Sequence, residues 1–403
     1  MRIAVFTPYL YPFQIDMLEI LRGITSTKLF TLGIYGNYPF EEFLRYTAFF
    51  KPVIRVLGQP MFSPLDILRF IRWKPNAVII YGAESISGLC IFFISKLIGA
   101  KTLVIVEENN ITSLNSIILG FIQKIKRAIV KFVYEFSDII VAESSASKKY
   151  VEEMLHVRRR TKHFSIYPHG VNVKHFSKNN HSKNGVKAKE LLLRSLGLSK
   201  DLIEKLWICF IGELSYIKGT DVLIDAIEIL KERNILRKYN CVFFLPRRSR
   251  FFPDRYDLKH IYLRKLSKLV REGYVVLYPP LAYSEMPILY RSADIVVLPS
   301  RFLKNTSSDR SPNVALETLA TGSLLVASYA GGIPDIVGDA GLLVKPNDPY
   351  ALADKIEKVV KHYEKYQYLK ERARVRAVTK LDIRLYTFTL LKNLCKTMKK
   401  TII

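Results

Sequence analysis

The chain has 403 residues, 49% of them hydrophobic, with 62 Lys or Arg against 36 Asp or Glu, a formal charge of +26. That length suits two or three domains, and the apolar share excludes a chain without a core. The charge implies a partner dense in negative charge (nucleic acid, an anionic membrane surface or phosphorylated substrates) unless it serves solubility alone.

In chain order, the opening MRIAVF is a short apolar run that meets a Thr-Pro turn. It is too short for a signal-peptide core and reads as a first strand, Arg2–Thr7. Further β-rich runs follow at Leu29–Tyr35, Ala77–Tyr81, Thr102–Glu107, Asp138–Ala142 and His163–Tyr167. They alternate with longer helical patterns, as in a parallel sheet with crossover helices. The longest apolar run, Gly88–Gly99, is interrupted by Lys96 and falls short of the ~20 residues a membrane span needs.

Within Ile117–Phe136, the residues Ile118, Phe121, Ile122, Ile125, Ile129, Phe132, Val133 and Phe136 recur at helical spacing, with Lys124, Lys126, Arg127 and Lys131 on other faces. Such a stripe packs a crossover helix onto its sheet, or lies in an anionic interface. Both hold if the stripe faces the core and the cations meet lipid headgroups.

Residues 177–199, rich in Lys, Asn and Ser, read as an inter-domain connection. The alternation then restarts at Leu206–Gly212, Cys241–Leu245, Val275–Tyr278, Ile295–Leu298, Leu324–Ser328 and Gly341–Val344, and residues 350–400 are mostly helical. The expected division is an N-terminal domain over 1–176, the connection, a second domain over 200–375 and a helical segment over 376–403. The two halves echo each other: DIIVAES at Asp138–Ser144 and DIVVLPS at Asp294–Ser300 both fit D-I-x-V-x-x-S. Together these patterns favour two Rossmann-like domains facing a cleft, with ligands beyond the carboxyl ends of the strands.

The stretch Asp309–Gly332 carries the densest chemistry. Ser311 suits a helix N-cap, Pro312 the first helical position and Gly322 the end. The amides of Asn313 and Val314 then fall in the first turn, a ready anion site. Glu317 lies among apolar residues, where a carboxylate needs a partner, and Asp309 lies eight positions before it. Two acids flanking a phosphate-binding turn suit a ligand with hydroxyls at both ends and phosphate between them, such as a sugar nucleotide. Upstream, Gly212 leaves a strand and Lys218-Gly219 precedes a helix from about Asp221, so the lysine offers a point charge for phosphate.

Four scattered cysteines without a CxxC pair fit a reducing compartment and no zinc site. There is no GxGxxG after a strand, which argues against a nicotinamide enzyme.

The stretch resembles the donor site of GT-B glycosyltransferases of family GT4, glycosyl transferases group 1, whose mark is Glu, seven residues, then Glu. Here the two acids are Asp309 and Glu317. The likeness continues through Gly331–Val337, Gly341–Asp348, Phe210–Ala226, Ala293–Ser300 and Tyr167–Phe176; it covers most of 200–375 well and 1–175 loosely. It implies an α/β GT-B fold, with C-terminal helices able to return to the N-domain. It also implies a retaining, metal-independent transfer from a UDP- or GDP-sugar, with no cofactor beyond that donor. There is no DxD between strands, the usual metal site of the other main glycosyltransferase fold.

The diphosphate would meet the amides of Asn313 and Val314 and the charge of Lys218, near Gly212 and Ser311. Glu317 would take ribose hydroxyls and Asp309 those of the sugar. Departures from the family pattern are Glu213 where Arg is common, FFLPRRSR at Phe243–Arg250 in place of a Gly-rich loop, and an N-domain with no histidine before His156. Arg247 is a compensating phosphate contact or part of a solvated loop. Glu108 as base and Asn109 as orienter are the acceptor-side candidates, or a plain strand-end turn. His169, where relatives often have Asn, reads as a hinge or turn residue.

Relatives with basic N-domains commonly glycosylate lipid-linked acceptors at the cytoplasmic face. The expected acceptor is therefore a lipid-linked or growing glycan, and the expected location is cytoplasmic, peripheral at the inner membrane face through Lys124, Lys126, Arg127 and Lys131, without nucleic acid. The alternatives are a non-catalytic sugar-nucleotide-binding or scaffold protein of this fold, or a basic nucleic-acid-binding protein.

Overall fold

The computed structural model describes residues 1–8, 10–31, 47–49, 54–56, 59–61, 63–83, 85–106, 128–154, 163–177, 185–247, 251–252, 255–301 and 312–399. The chain forms two compact units, Met1–Gly170 with Ile383–Ile403, and Val171–Asp382.

The first unit holds strands β1 (Arg2–Thr7), β2 (Ser26–Thr31), β3 (Thr47–Phe49), an antiparallel pair β4 (Ile54–Val56) and β5 (Gln59–Met61), then β6 (Ala77–Ile80), β7 (Lys101–Ile105), β8 (Ile139–Ala142) and β9 (His163–Ile166). Seven of these make one parallel sheet in the order β3-β2-β1-β6-β7-β8-β9. The run expected at Leu29–Tyr35 begins earlier, at Ser26, and residues 32–35 lie outside the described residues. The three short strands β3, β4 and β5 were not expected from the pattern.

Side chains on β1 alternate between two cores, as a sheet covered on both faces requires. Ile3 and Val5 meet α1 (Pro12–Ile24) and the C-terminal helix Ile383–Met398 on one face. Ala4 and Phe6 join α2 (Pro64–Trp73) and α3 (Ile86–Leu97) on the other. The last helix thus belongs to the first unit, whereas Tyr368–Lys380 stays with the second.

Of the helix expected at Ile117–Phe136, only 128–136 lies within the described residues. The expected single stripe divides there. Val130, Val133 and Tyr134 are buried against the sheet, while Phe132 and Phe136 face outward. A helix laid on a sheet buries positions at both i+3 and i+4, so its inner arc lies along 130, 133 and 134 and leaves 132 and 136 outside.

The second unit has strands β10 (Leu206–Phe210), β11 (Cys241–Pro246), β12 (Val275–Tyr278), β13 (Ile295–Leu298), β14 (Leu324–Ser328) and β15 (Leu342–Val344), all parallel, in the order β12-β11-β10-β13-β14-β15. In both sheets the first strand is central and the order reverses beside it. The stretch 177–199, read from sequence as a connection, contains helix α4 (Gly185–Leu196), which buries Ala188, Leu192 and Leu193 within this unit. Its apolar period starts only at Ala188, so polar residues at its front conceal it.

The echoed aspartates share one task. Asp294 accepts from the amide of Trp207 at 2.8 Å and from Lys189 Nζ at 2.7 Å. Asp138 likewise accepts from the amide of Thr102 at 2.9 Å, and from Lys96 Nζ at 2.6 Å and Lys101 Nζ at 3.1 Å. Each carboxylate therefore caps the start of the neighbouring strand and draws in a helix lysine. Partial burial alone would raise the Asp138 pKa, but the Lys96 and Thr102 hydrogen bonds outweigh it and hold the group at about 2.

The stability from this depressed pKa is complete above pH ~4 and is lost as pH falls toward 2. Asp138→Asn should cost about 2 kcal/mol at neutral pH, and the gap to the wild type should shrink between pH 4 and 2. Chemical denaturation at several pH values measures it; a gap that does not change with pH would remove the role given to the charge.

Candidate functional site

In a doubly wound sheet the loops on either side of the reversal diverge and open a crevice beyond the strands. In the second unit these are the loop after β10, residues 211–219, and the segment that leaves β13 at residues 299–301. Helix α5 (Thr220–Glu232) follows the first, α6 (Met286–Ser292) precedes β13, and α7 (Asn313–Thr321) comes after it.

The first loop ends in a turn over 216–219, with Lys218 half-buried and its amide 3.4 Å from Ser215 Oγ. Gly219, at φ 68°, caps α5, and a Cβ there would stand 1.9 Å from the carbonyl oxygen of Pro299. The two loops are joined further. The Arg301 amide donates to Ile217 O at 2.9 Å, the Arg301 guanidinium lies 4.0 Å from the Tyr216 ring centroid, and it pairs with Asp221 at the start of α5. Arg301, a candidate helper for Lys218 by sequence, is thereby engaged in joining the loops. Arg247 leaves β11 with an exposed side chain, its amide donating to Tyr278 O at 2.6 Å.

Helix α7 starts one residue later than the sequence suggests. Pro312 is the N-cap, with φ −67° and ψ 122°, not the first helical residue. The ring fixes φ but leaves ψ free to be extended, and the Pro312 carbonyl accepts the first helical bond, from Ala315 N at 3.0 Å. The amides of Asn313 and Val314 precede that bond, at the positive end of the helix. Gly322, at φ 67°, ends it as expected.

Glu317 has the partner its setting demands. Its Oε2 accepts from Tyr290 Oη on α6 at 2.6 Å. Burial, and then the Glu317 carboxylate, push the Tyr290 phenol far above its ordinary pKa, so it stays protonated and donating. The Tyr290 ring is fully buried and packs edge-on to Phe176 at 5.8 Å. The sequence reading missed Tyr290 because an aromatic on a helix beside a strand looks like core packing; its hydroxyl, which a buried core must satisfy, was the available signal.

Gly212 and Lys218 thus follow β10, and Asn313, Val314 and Glu317 lie on the helix after its paired strand β13. Asp309, Ser311, Glu108, Asn109, Lys124, Lys126 and Arg127 lie outside the described residues. His169 is buried in the first unit, its Nδ1 3.5 Å from Glu143 Oε2 and its ring stacked on Phe13 at 4.2 Å. Among the described residues, no three His, Cys, Asp or Glu side chains are grouped to hold a metal ion.

The sequence family described as glycosyl transferases group 1 matches residues 205–362, the span that holds this arrangement. Residues 205–362 of the second unit form a domain similar to that family. The chain is similar to the D-inositol 3-phosphate glycosyltransferase of Corynebacterium glutamicum (strain R), 32% identical over 152 residues that make up 37% of this chain and 34% of that protein. The chain therefore spans about a third of that relative's length.

Two solved structures share the fold across nearly the whole chain. One is a glycosyltransferase from Rickettsia africae, with TM-score 0.72 and 16% identity over 99% of both chains. The other is Anabaena HepE in complex with UDP-glucose, with TM-score 0.71 and 15% identity over 99% of both chains. The fold is GT-B, two Rossmann-like units with parallel sheets.

The close approach at Gly219 in the second unit makes a steric prediction. Gly219→Ala should destabilise the protein by about 2 kcal/mol or more, well beyond Gly197→Ala, because Gly197 has a similar φ of 63° but open space around it. Urea unfolding of both variants decides; equal losses would mean that φ alone, and not the Pro299 carbonyl, demands glycine.

Proposed function

We propose that the protein is a retaining, metal-independent glycosyltransferase that moves a sugar from a nucleotide-sugar donor to a glycan or lipid-linked acceptor. The observation that carries this reading is the carboxylate of Glu317, held by Tyr290 one turn inside the helix that follows β13, the strand paired with β10, which leads into the Lys218 loop. The Asn313 and Val314 amides and the Lys218 charge would bind the diphosphate and stabilise the negative charge that grows as it leaves. Glu317 would accept from the ribose hydroxyls, with Tyr290 fixing its rotamer so that the free energy of ordering it is met before the donor arrives. Asp309 would hold sugar hydroxyls, its shorter side chain setting the reach.

In this reading the bond between the anomeric carbon and the phosphate oxygen breaks, and the nucleoside diphosphate departs with the electron pair. The acceptor oxygen bonds to the same face, and its proton passes to the departing phosphate. No separate base is required, and Glu108 and Asn109 would at most orient the acceptor. The HepE complex favours UDP-glucose as the first donor to test, with GDP-sugars beside it. No described helix is long and apolar enough to cross a membrane. Attachment to a lipid-linked acceptor would then be peripheral, at an anionic cytoplasmic surface, with Lys124, Lys126, Arg127 and Lys131 as sequence candidates for the contact.

Protection against thermal unfolding by a panel of UDP- and GDP-sugars tests the donor assignment. Glu317→Gln and Asp309→Asn should each lower transfer about tenfold or more, near 1.4 kcal/mol of barrier, with little change in melting temperature. Tyr290→Phe should weaken donor binding in the wild type and have almost no effect in a Glu317→Ala background, since it acts through that carboxylate. Wild-type turnover in both acid variants would end the assignment. Transfer should also continue in excess EDTA; a strict need for Mg²⁺ or Mn²⁺ would rule out the site as drawn.

A further inference from the structure

We infer that the outer face of the helices covering one side of the first unit's sheet docks onto an anionic lipid surface. The inference gives a location to the membrane-surface acceptor proposed above, and rests on that reading only for its purpose. Helices α2, α3 and 128–136 pack into a single core on the same face of the sheet. Helices in that position normally turn a polar side to water. Here large apolar side chains stand on that side. Phe93 and Leu97 on α3 are 44% and 86% exposed, and Phe132 and Phe136 are 39% and 52% exposed. Leu65 and Leu68 on α2 are exposed as well.

The aromatic residues are not scattered singly. Phe93 stacks on Phe132 with centroids 5.7 Å apart, and Phe132 lies 4.3 Å from Phe136. Side chains from two separate helices thus meet on the outside, forming a continuous apolar ridge of the kind that marks an interaction surface.

Charge selects the occupant. The acids on these elements are mostly engaged: Asp66 by Ser63 and Arg69, Asp138 by Lys96 and Lys101, leaving the half-buried Glu135. Lys131 adjoins Phe132 in the chain, and Arg72 and Lys74 are exposed at the end of α2, a helix of the same layer. Lysine is depleted at the centre of protein–protein interfaces. Aromatic rings beside long cationic side chains instead suit the boundary between acyl chains and phosphate headgroups, where the rings enter the apolar layer and the cations reach up to the phosphates. The ridge differs from the stripe read in the sequence, because Val133 is committed to the core and the outward phenylalanines make the contact.

Co-sedimentation of the full chain with vesicles tests this. The wild type should bind vesicles of equal parts phosphatidylcholine and phosphatidylglycerol, less so as salt rises, and should leave pure phosphatidylcholine vesicles largely unbound. The triple variant Phe93→Ser, Phe132→Ser, Phe136→Ser should bind the anionic vesicles about tenfold or more weakly, with a melting temperature and a UDP-glucose-induced shift like the wild type's. As a conservative probe, the emission of the Phe132→Trp variant, less that of the wild type, should move to shorter wavelength when those vesicles are added.

A wild type that stays in the supernatant overturns the inference, as does a folded triple variant that binds equally well, or a Phe132→Trp difference emission that does not move. Concentration-dependent dimerisation lost in the triple variant, without vesicle binding, would assign the ridge to a second copy instead. Vesicle binding in a protein that no nucleotide sugar protects would uphold this surface while defeating the donor reading.

Discussion

Parallel strands cannot be joined by tight turns; each must be followed by a crossover that returns over a face of the sheet. That constraint organises both units. It makes every strand leave at the same edge, gathers the loops there, and requires helices on both faces. With β1 and β10 central in their sheets, successive crossovers run first to one side and then to the other. The loops on either side of the reversal are then free to diverge. The Lys218 loop and the amino end of α7 occupy that place in the second unit, so the candidate donor site follows from chain topology before any particular side chain is considered.

Within that frame a few polar contacts turn a crevice into a site. Gly219 allows one loop to pass against the Pro299 carbonyl, and Arg301 fastens the other to Asp221 and Tyr216. These contacts engage a charge that could have faced phosphate, and the proposed reading gives that role to Lys218. Glu317 shows the same economy. A carboxylate half-buried among apolar neighbours is costly unless a donor meets it, and the fully buried Tyr290 phenol both satisfies it and sets its direction. The group that stabilises the helix packing is also the group that prepares the carboxylate for a ligand.

The first unit applies the same architecture to a different surface. Its sheet is closed on one face by α1 and the C-terminal helix, and on the other by helices whose inner arcs are apolar and whose outer arcs are apolar in part. The apolar content that would ordinarily mark a buried helix is therefore shared between a core and an external ridge. Hydrophobic periodicity registers both and cannot separate them.

The sequence by itself determined the strands with strong apolar runs, the two parallel-sheet units and the motif-bearing residues at the ends of β10 and β13. Those features are local: alternation, caps, glycines and charges within a few residues of one another. The echo of Asp138 and Asp294 was also legible, although its meaning was not, because each aspartate caps a strand that is distant in the chain. Only the tertiary structure decided that Tyr290 meets Glu317, that Arg301 pairs with Asp221, that 185–196 is a helix of the second unit and that Phe132 and Phe136 point outward while Val133 does not. The physical reason is common to all four. Periodicity reports which residues share a face. Which face is buried, and which distant residue satisfies a polar atom there, is set by the neighbouring elements that the fold brings into contact.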